Sequence, residues 1–329
     1  MREALADVTT KASVAAKLVR GDMVVDTGCN DGTLLRTYPV SGIRLVGFEP
    51  AQNLVEDARK GTDCIFNDFF QADIFLDEFG HQKAKIITSV AMFYDLEDPN
   101  TFVSDIVECL ASDGVWVVQQ NYLASMLQKN GFDNIGHEHL EYYSLNTMER
   151  LLTKHGLDIF AVETNDVNGG SFRIYACHRG KYAIEESVAK LRRKEERLQL
   201  NVGEAYRTFA KSIRRIKSDL VGLVRNEVKG GKRVYVYGAS NRGNTILQYC
   251  GLDYRLIMKA ADANSEKWGR RTVGTKIPIV SKEEARKDKP DYFLILPHHF
   301  LEEIRREEKD YLQDGGKFIV PLPEVRVLA

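Results

Sequence analysis

Nowhere in its 329 residues does the chain hold the roughly 18–20 consecutive apolar residues that a membrane-spanning helix needs. The opening residues, MREALADVTTKAS, lack the apolar core of a secretion signal, so the expected address is the cytoplasm, with no membrane partner. An excess of one charge is lacking too. Lys and Arg number 46 against 47 Asp and Glu, which leaves a formal net charge of -1 and no global positive field for nucleic acid. The five cysteines (Cys29, Cys64, Cys109, Cys177 and Cys250) are odd in number, scattered, and form no C-x-x-C pair. That excludes a disulfide framework and a zinc ribbon, and marks each cysteine as a small residue in a reducing compartment. Internal repeats and low-complexity tracts are absent.

What is present suits a soluble two-domain protein: 43% hydrophobic and 28% charged residues. MVVDTG, IRLVGFEP, DCIFND, AKIITSV and GVWVVQQ are short apolar runs, each followed by a turn or helix signal. That rhythm predicts βα units and a parallel sheet, and the lack of strict alternation predicts helices on both faces. LDIFAVETND and SFRIYACHR, joined by VNGGS, predict an antiparallel pair at the sheet edge. The segment from Lys181 to Lys229 is charged and carries apolar residues at helical spacing, with Gly230-Gly231 as its stop. Its charges read as a solvated helix face, with a basic partner-binding helix as the alternative. KRVYVYGASNRGNTILQYC, LIMKAADAN, IPIVSKEEARK, DYFLILPHH, FLEEIRREEKDYLQDGG and KFIVPLP then repeat the βα rhythm on a smaller scale. The expected fold class is α/β: two Rossmann-like parallel-sheet domains, residues 1–180 and 230–329, joined by a helical linker, 181–229.

The first glycine loop, VVDTGCNDGTLL, follows the first strand and supplies Asp26, Gly28, Asn30 and Gly32. Glycine there lets a ligand approach the backbone, and the next helix start offers free N–H groups. The pattern is D-x-G-x-x-x-G, with Asn30 where a dinucleotide fingerprint has its second glycine. A carboxylate at the strand end repels a diphosphate and favours the amino-acid end of a sulfonium cofactor. Glu49 ends the second strand, where an acid can take two ribose hydroxyls. Asn67 and Asp68 end the third, placed for an adenine edge, and Ser89 sits near the end of the fourth. The combination resembles a class I S-adenosylmethionine-dependent methyltransferase.

The densest polar stretch is NGFDNIGHEHLEYYSLNTMERLL. Ser144 reads as the N-cap of a helix over LNTMERLL, so the motif before it lies in a loop. His137, Glu138, His139 and Glu141 admit three readings: a metal site, a cluster of surface polar groups, or proton chemistry. Histidine steered by a carboxylate suits a general base at neutral pH, and no third metal ligand is set by spacing. Proton chemistry is the reading adopted, and no metal is assigned.

FDNIGHEHLEYYS, VNGGSFRIYA, VYGASNRGNT, DANSEKWGRRTVGTKIPI and VPLPEV, in this order over nearly the whole chain, resemble the sugar C-methyltransferases, which act on nucleotide-linked 4-keto-6-deoxy sugars. The resemblance implies His139 as the base, with Glu138, Tyr142 and Tyr143 orienting it or holding the sugar. His137, Asn168 and the Gly169-Gly170 turn are expected on the substrate. Members of that family usually begin with a cysteine-rich zinc module, which the sequence here does not contain; a separate zinc-bearing partner is one expectation. A family tyrosine stands where this chain has Gly136, and a histidine where it has Phe93 or Tyr94, with Tyr94 a candidate replacement.

The second loop, VYVYGASNRGNT, supplies Gly238, Ser240, Asn241, Arg242 and Gly243 between a strand and a helix. Small residues and an arginine at a helix start suit the diphosphate of a nucleotide-sugar. Asp262 is expected at a ribose, Lys267 and Arg270 at phosphate, and His298 with His299 along the cleft. The reading is thus an S-adenosylmethionine-dependent C-methyltransferase acting on a nucleotide-linked keto-deoxy sugar, as a monomer or homodimer. An O- or N-methyltransferase, and a non-catalytic cofactor-binding subunit that needs a partner, are the alternatives.

Overall fold

The computed structural model describes residues 2–329, in two compact units. The first runs to Leu123 and resumes over Leu140–Leu198; the second comprises Ala124–His139 and Gln199–Ala329.

In the first unit α1 (Arg2–Ala16) precedes β1 (Met23–Asp26), β2 (Arg44–Phe48), α2 (Gln52–Ala58), β3 (Cys64–Phe66), α3 (Ala72–Phe79), β4 (Ala84–Val90), α4 (Pro99–Cys109) and β5 (Leu110–Asn121). After α5 (Leu123–Gln128) and an excursion into the second unit come α6 (Leu145–Lys154), β6 (Leu157–Asn165), β7 (Ser171–His178) and α7 (Glu186–Leu198). The sheet order is β3-β2-β1-β4-β5-β7-β6. Pairing is parallel from β3 to β5 and antiparallel at β7 and β6, as the Gly-Gly hairpin predicts. All four β1 residues are buried, which is why that strand shows no alternation.

α6 starts where its sequence says it must. Ser144 accepts from the Thr147 N–H while the Thr147 side chain accepts from the Ser144 N–H, a reciprocal cap. Glu195 of α7 completes that helix start. Buried to 5% exposure, it accepts from the N–H groups of Leu145 (2.6 Å) and Asn146 (3.0 Å) and from the Tyr122 hydroxyl (2.9 Å).

The second unit is built on α8 (Gly203–Lys229), β8 (Val234–Tyr237), α9 (Asn241–Cys250), β9 (Ala260–Asp262), β10 (Ile279–Ser281), α10 (Lys282–Lys287), β11 (Tyr292–Ile295), α11 (Leu301–Glu307), α12 (Lys309–Gln313), β12 (Lys317–Val320) and β13 (Arg326–Leu328). Its sheet order is β10-β9-β8-β11-β12-β13, parallel except for β13. In both sheets the first strand lies between the second and the fourth, so each has a switch point beside its glycine loop.

The expected linker is two helices with different homes. α7 buries Val188, Leu191 and Glu195 in the first unit, whereas α8 turns Phe209, Ile216, Leu220 and Val224 into the core of the second. The latter four lie on one stripe at spacings of seven, four and four. Residues 124–139, expected within the first domain, belong to the second, where Phe132 joins the same core as Leu220 and Ile246. Three smaller differences follow. β9 takes only the end of LIMKAADAN, the long C-terminal helix breaks at Glu308, and β13 is an added edge strand. Among the described residues no helix is long and apolar enough to cross a membrane.

Candidate active site

A cavity of about 770 Å3 opens at the C-terminal ends of β1, β2, β4 and β5 in the first unit. Asp26, Gly28, Asn30 and Glu49 line it, together with Phe69, Met92, Gln119, Gln120 and Asn168. Asp26 is 2% exposed and accepts from the Thr88 hydroxyl at 2.8 Å. Burial, with a further push from the Glu49 charge, raises its pKa from 3.8 to about 7. Glu49 takes the N–H of Asn30 on one oxygen and that of Ala51 on the other, both at 2.8 Å, and so clips the β1 loop to the end of β2. Gly47 makes that loop possible: a Cβ there would stand 2.6 Å from Cys29 Sγ. Gly32, at φ +77° and with a Cβ position 2.9 Å from the Ala58 carbonyl, turns the chain beneath the cavity and does not line it.

Three expected cofactor contacts lie elsewhere. The Asn67 side-chain amide donates to the Glu49 carbonyl at 2.8 Å, so it braces Glu49 from outside the cavity. Asp68 is exposed and accepts from the Phe69 N–H at 2.7 Å. Ser89 is fully buried between Thr27 (2.8 Å) and the Trp116 indole N–H (3.0 Å), because residues of β4 alternate sides and the cavity takes Val90 instead. Gln119 and Gln120 escaped the sequence reading, although two polar residues ending an apolar strand are a legible signal. Gln119 Oε1 accepts from Arg173 Nε (2.8 Å) and Asn165 Nδ2 (3.1 Å), and buried Arg173 pairs with Glu163 (2.7 Å) and with Asp7 of α1 (3.0 Å).

S-adenosylmethionine fits these residues by charge. Its sulfonium and ammonium would find two buried carboxylates here, and a cation beside Asp26 would offset the burial and the Glu49 charge that hold it back from ionising. The carboxylate lone pairs suit the ribose hydroxyls, and exposed Phe69 offers a flat face at the rim.

His139 lies in the second unit and Leu140, the next residue, in the first. Its Nδ1 is 2.8 Å from the Asn134 carbonyl. A carbonyl only accepts, so Nδ1 carries a proton, and in that tautomer Nε2 is the ring nitrogen that can take one. Glu138 Oε2 is 3.0 Å from Nδ1 of His137, a side chain 98% exposed. Gly136 leaves Glu138 room, since a Cβ would stand 3.0 Å from Oε2. Leu140 and Glu141 donate their N–H groups to the Tyr94 carbonyl at 3.0 and 3.1 Å. Tyr142 is half-buried. Tyr143 is a core residue: 7% exposed, its ring is 5.2 Å from that of fully buried Phe93, and burial raises its hydroxyl pKa. Among the described residues no three His, Cys, Asp or Glu side chains gather as a metal site.

The β6–β7 turn carries positive φ at Asn168 (54°), Gly169 (90°) and Gly170 (132°), which explains the NGG sequence. The Gly169 and Gly170 N–H groups bond to the Asp166 and Val167 carbonyls inside the turn, so the backbone donors expected for substrate are already in use. Asn168, beside Val167, is the polar group the turn brings to the cavity wall.

The second glycine loop repeats the clip of the first. Asp262, ending β9, takes the N–H of Ala239 (2.7 Å) and of Asn264 (2.8 Å), as Glu49 does at β2. Gly238 sits at φ +86°, where a Cβ would press on the Pro297 ring at 2.8 Å, and Ser240 caps α9 through the Gly243 N–H. Asn241 is exposed at the start of α9. Lys267 bonds to the Ala239 carbonyl at 3.0 Å, and Arg270 is exposed. Arg242 departs from the expected phosphate role: its Nη2 and Nε lie 2.7 and 2.9 Å from Asp133 Oδ2. His298 donates to the same oxygen at 3.2 Å. His299 is held neutral, its pKa lowered to about 4 by burial and by the charges of Arg242 and His298.

Residues 1–162 match the model of a methyltransferase domain, and residues 166–323 that of the C-methyltransferase C-terminal domain. The C-methyltransferase NovU of Streptomyces niveus is 35% identical over 316 residues, which cover 95% of this chain and 75% of NovU. Among solved structures, an S-adenosylmethionine-dependent methyltransferase from Clostridium acetobutylicum ATCC 824 is 12% identical with a TM-score of 0.42, over 55% of this chain and 93% of that one. The magnesium protoporphyrin IX methyltransferase of Synechocystis PCC 6803 is 15% identical with a TM-score of 0.42, over 54% of this chain and 83% of that one.

Proposed function

The chain belongs to the C-methyltransferase family, whose methyl donor is S-adenosylmethionine, and on that basis we propose that it methylates a carbon of a nucleotide-linked keto-deoxy sugar through an enolate. The observation that carries this reading is the His139 ring, whose Nδ1–H is committed to the Asn134 carbonyl and whose Nε2 is therefore a base. A saturated sugar carbon is no nucleophile, but a neighbouring ketone makes its C–H acidic. Nε2 takes that proton, and the C–H electron pair passes into the enolate. S-adenosylmethionine, when bound, supplies an electrophilic methyl group whose bonding electrons leave with sulfur. The enolate carbon forms the new C–C bond and the ketone is restored; the proton stays on His139 until solvent removes it. A base placed in advance contributes about 10²–10⁴-fold to such a rate, and alignment of the acceptor adds to it.

Asp26 and Glu49 hold the donor's charged and ribose groups, while Gln119 and Asn168 are polar contacts on the same cavity wall. Glu138 and Tyr142 are assigned to the sugar. The nucleotide is assigned to the second unit, at the Gly238–Asn241 loop and the start of α9, because a helix start favours an anion. Arg242 is left out of that role, since its charge is met by Asp133.

The test is proton exchange. With a panel of nucleotide-linked 4-keto-6-deoxy sugars and S-adenosylhomocysteine in D2O, deuterium is expected at the carbon beside the ketone of the sugar that binds. His139→Ala is expected to abolish exchange and methyl transfer while S-adenosylhomocysteine binds within about threefold of wild type, a difference under 1 kcal/mol. Methyl transfer to oxygen or nitrogen, or carbon methylation undiminished in His139→Ala, would overturn the reading.

A further inference from the structure

We propose that Asp133, clamped by Arg242 and His298, is the positioning residue of His139. The inference rests on the reading of His139 as the base. All the groups involved lie in the second unit. Asp133 is 1% exposed and sits in a single 3-10 turn, Phe132–Asn134. Its Oδ2 collects three contacts: Arg242 Nη2 (2.7 Å), Arg242 Nε (2.9 Å) and His298 Nε2 (3.2 Å). Burial works against its charge, but the His298 hydrogen bond and the charges of Arg242 and His298 outweigh it and keep the carboxyl below its ordinary pKa. A buried ion pair is poor evidence for stability and better evidence for a specified geometry.

The geometry it specifies is that of the next residue. Asn134 offers its carbonyl to His139 Nδ1, so the plane of that peptide sets both the tautomer and the direction of the ring. Peptide planes in a loop rotate unless something holds them. On one side Phe132 anchors the turn by packing against Tyr249 of α9, with ring centroids 5.2 Å apart. On the other the Thr245 hydroxyl of α9 reaches the Ile135 carbonyl at 3.4 Å. Between these two the Ile135 N–H ties the same peptide to the Phe132 carbonyl at 3.0 Å, and buried Asp133, paired with Arg242, fixes the turn that carries it. Arg242 is in the first turn of α9 and His298 follows β11, so the base is held by the same loops that flank the second glycine turn. The arginine read from sequence as a phosphate ligand is on this account a strut for the catalytic loop.

The experiment uses the full chain labelled with 15N-histidine, with the His139 signals assigned by their loss in His139→Gln. Long-range proton–nitrogen spectra report which ring nitrogen carries the proton. Wild type is expected to show His139 protonated at Nδ1. In Asp133→Asn and Arg242→Met the Nδ1–H tautomer is expected to give way to the Nε2–H form that free imidazole prefers. Turnover is expected to fall by about 10–100-fold, the order of loss that a misplaced catalytic group brings. S-adenosylhomocysteine affinity is expected to stay unchanged. Arg242→Lys, which keeps the charge but not the fork, is expected to retain part of the Nδ1–H population and part of the turnover; it also serves as the readout if the other variants unfold. His139 signals identical to wild type in any folded variant of Asp133 or Arg242 would overturn the proposal. The tautomer is read without substrate, so failure of the base reading, seen as methyl transfer by His139→Ala, is a separate result.

Discussion

Asp26 shows how one side chain can couple proton and ligand. Its carboxyl titrates near 7 in the folded protein, against an unperturbed value of 3.8. The folded state therefore holds the proton more tightly than the unfolded state between these values. Native stability contributed by this group falls as pH rises from about 4 to 7 and is lost above. A cationic ligand acts the other way, because it favours the ionised form. Affinity for S-adenosylmethionine should rise between pH 6 and 8, with protons released on binding. Asp26→Asn should flatten that rise, weaken binding about tenfold or more at pH 8, the loss of a charge-assisted contact, and raise the unfolding midpoint at pH 8 but not at pH 5. Calorimetry in buffers of different ionisation enthalpy would measure the proton release; a pH-independent affinity in the wild type would contradict the argument. Asp26, Gly28, Asn30 and Glu49 were legible as a set, since acid and glycine at strand ends are local patterns. Ser89 and Tyr143 were not, because which side of a strand or loop faces the cavity is decided by neighbours such as Trp116 and Phe93.

At the level of elements, α6 separates a local signal from a distant one. The Ser144 cap is written in four consecutive residues, whereas the Glu195 cap comes from a helix fifty residues on. Ser144→Ala should cost about 1 kcal/mol, the usual loss for a capping hydroxyl. Glu195→Leu should cost about 2–3 kcal/mol, because the buried Leu145 N–H, the half-buried Asn146 N–H and the Tyr122 hydroxyl lose their acceptor. Urea unfolding of the two variants would rank them, and no loss in Glu195→Leu would mean that α6 is capped by Ser144 alone. α8 shows the same contrast. Its apolar stripe at Phe209, Ile216, Leu220 and Val224 predicts a helix, but the core that receives the stripe cannot be read from the helix itself.

For the whole molecule the decisive event is the excursion of residues 124–139. Phe132 stands in the sequence among elements of the first unit yet is buried to 3% exposure in the core of the second. Phe132→Ala should cost about 3–5 kcal/mol, felt in the second unit. Trp268 lies in that unit and Trp116 in the first, so Trp116→Phe leaves a single reporter for it. Unchanged Trp268 unfolding in Phe132→Ala would show that the turn adds nothing to that core. The same excursion takes the NGFDNIGHEH motif out of the unit that sequence order assigns it to, and sets Asp133 on Arg242.

By itself the sequence determined the two α/β sheets, their strands, the glycine loops, the acids that end the second strands and the identity of the polar loop at His139. Each of these is set by residues a few positions apart, through hydrophobic period, backbone freedom and capping. Only the tertiary structure decided that the Lys181–Lys229 segment is divided between the units, that Arg242 spends its charge on Asp133, and that His139 presents Nε2. Those depend on groups brought together across up to 165 residues of chain, such as His298 and Asp133, and no local pattern encodes which of many charged partners burial will select.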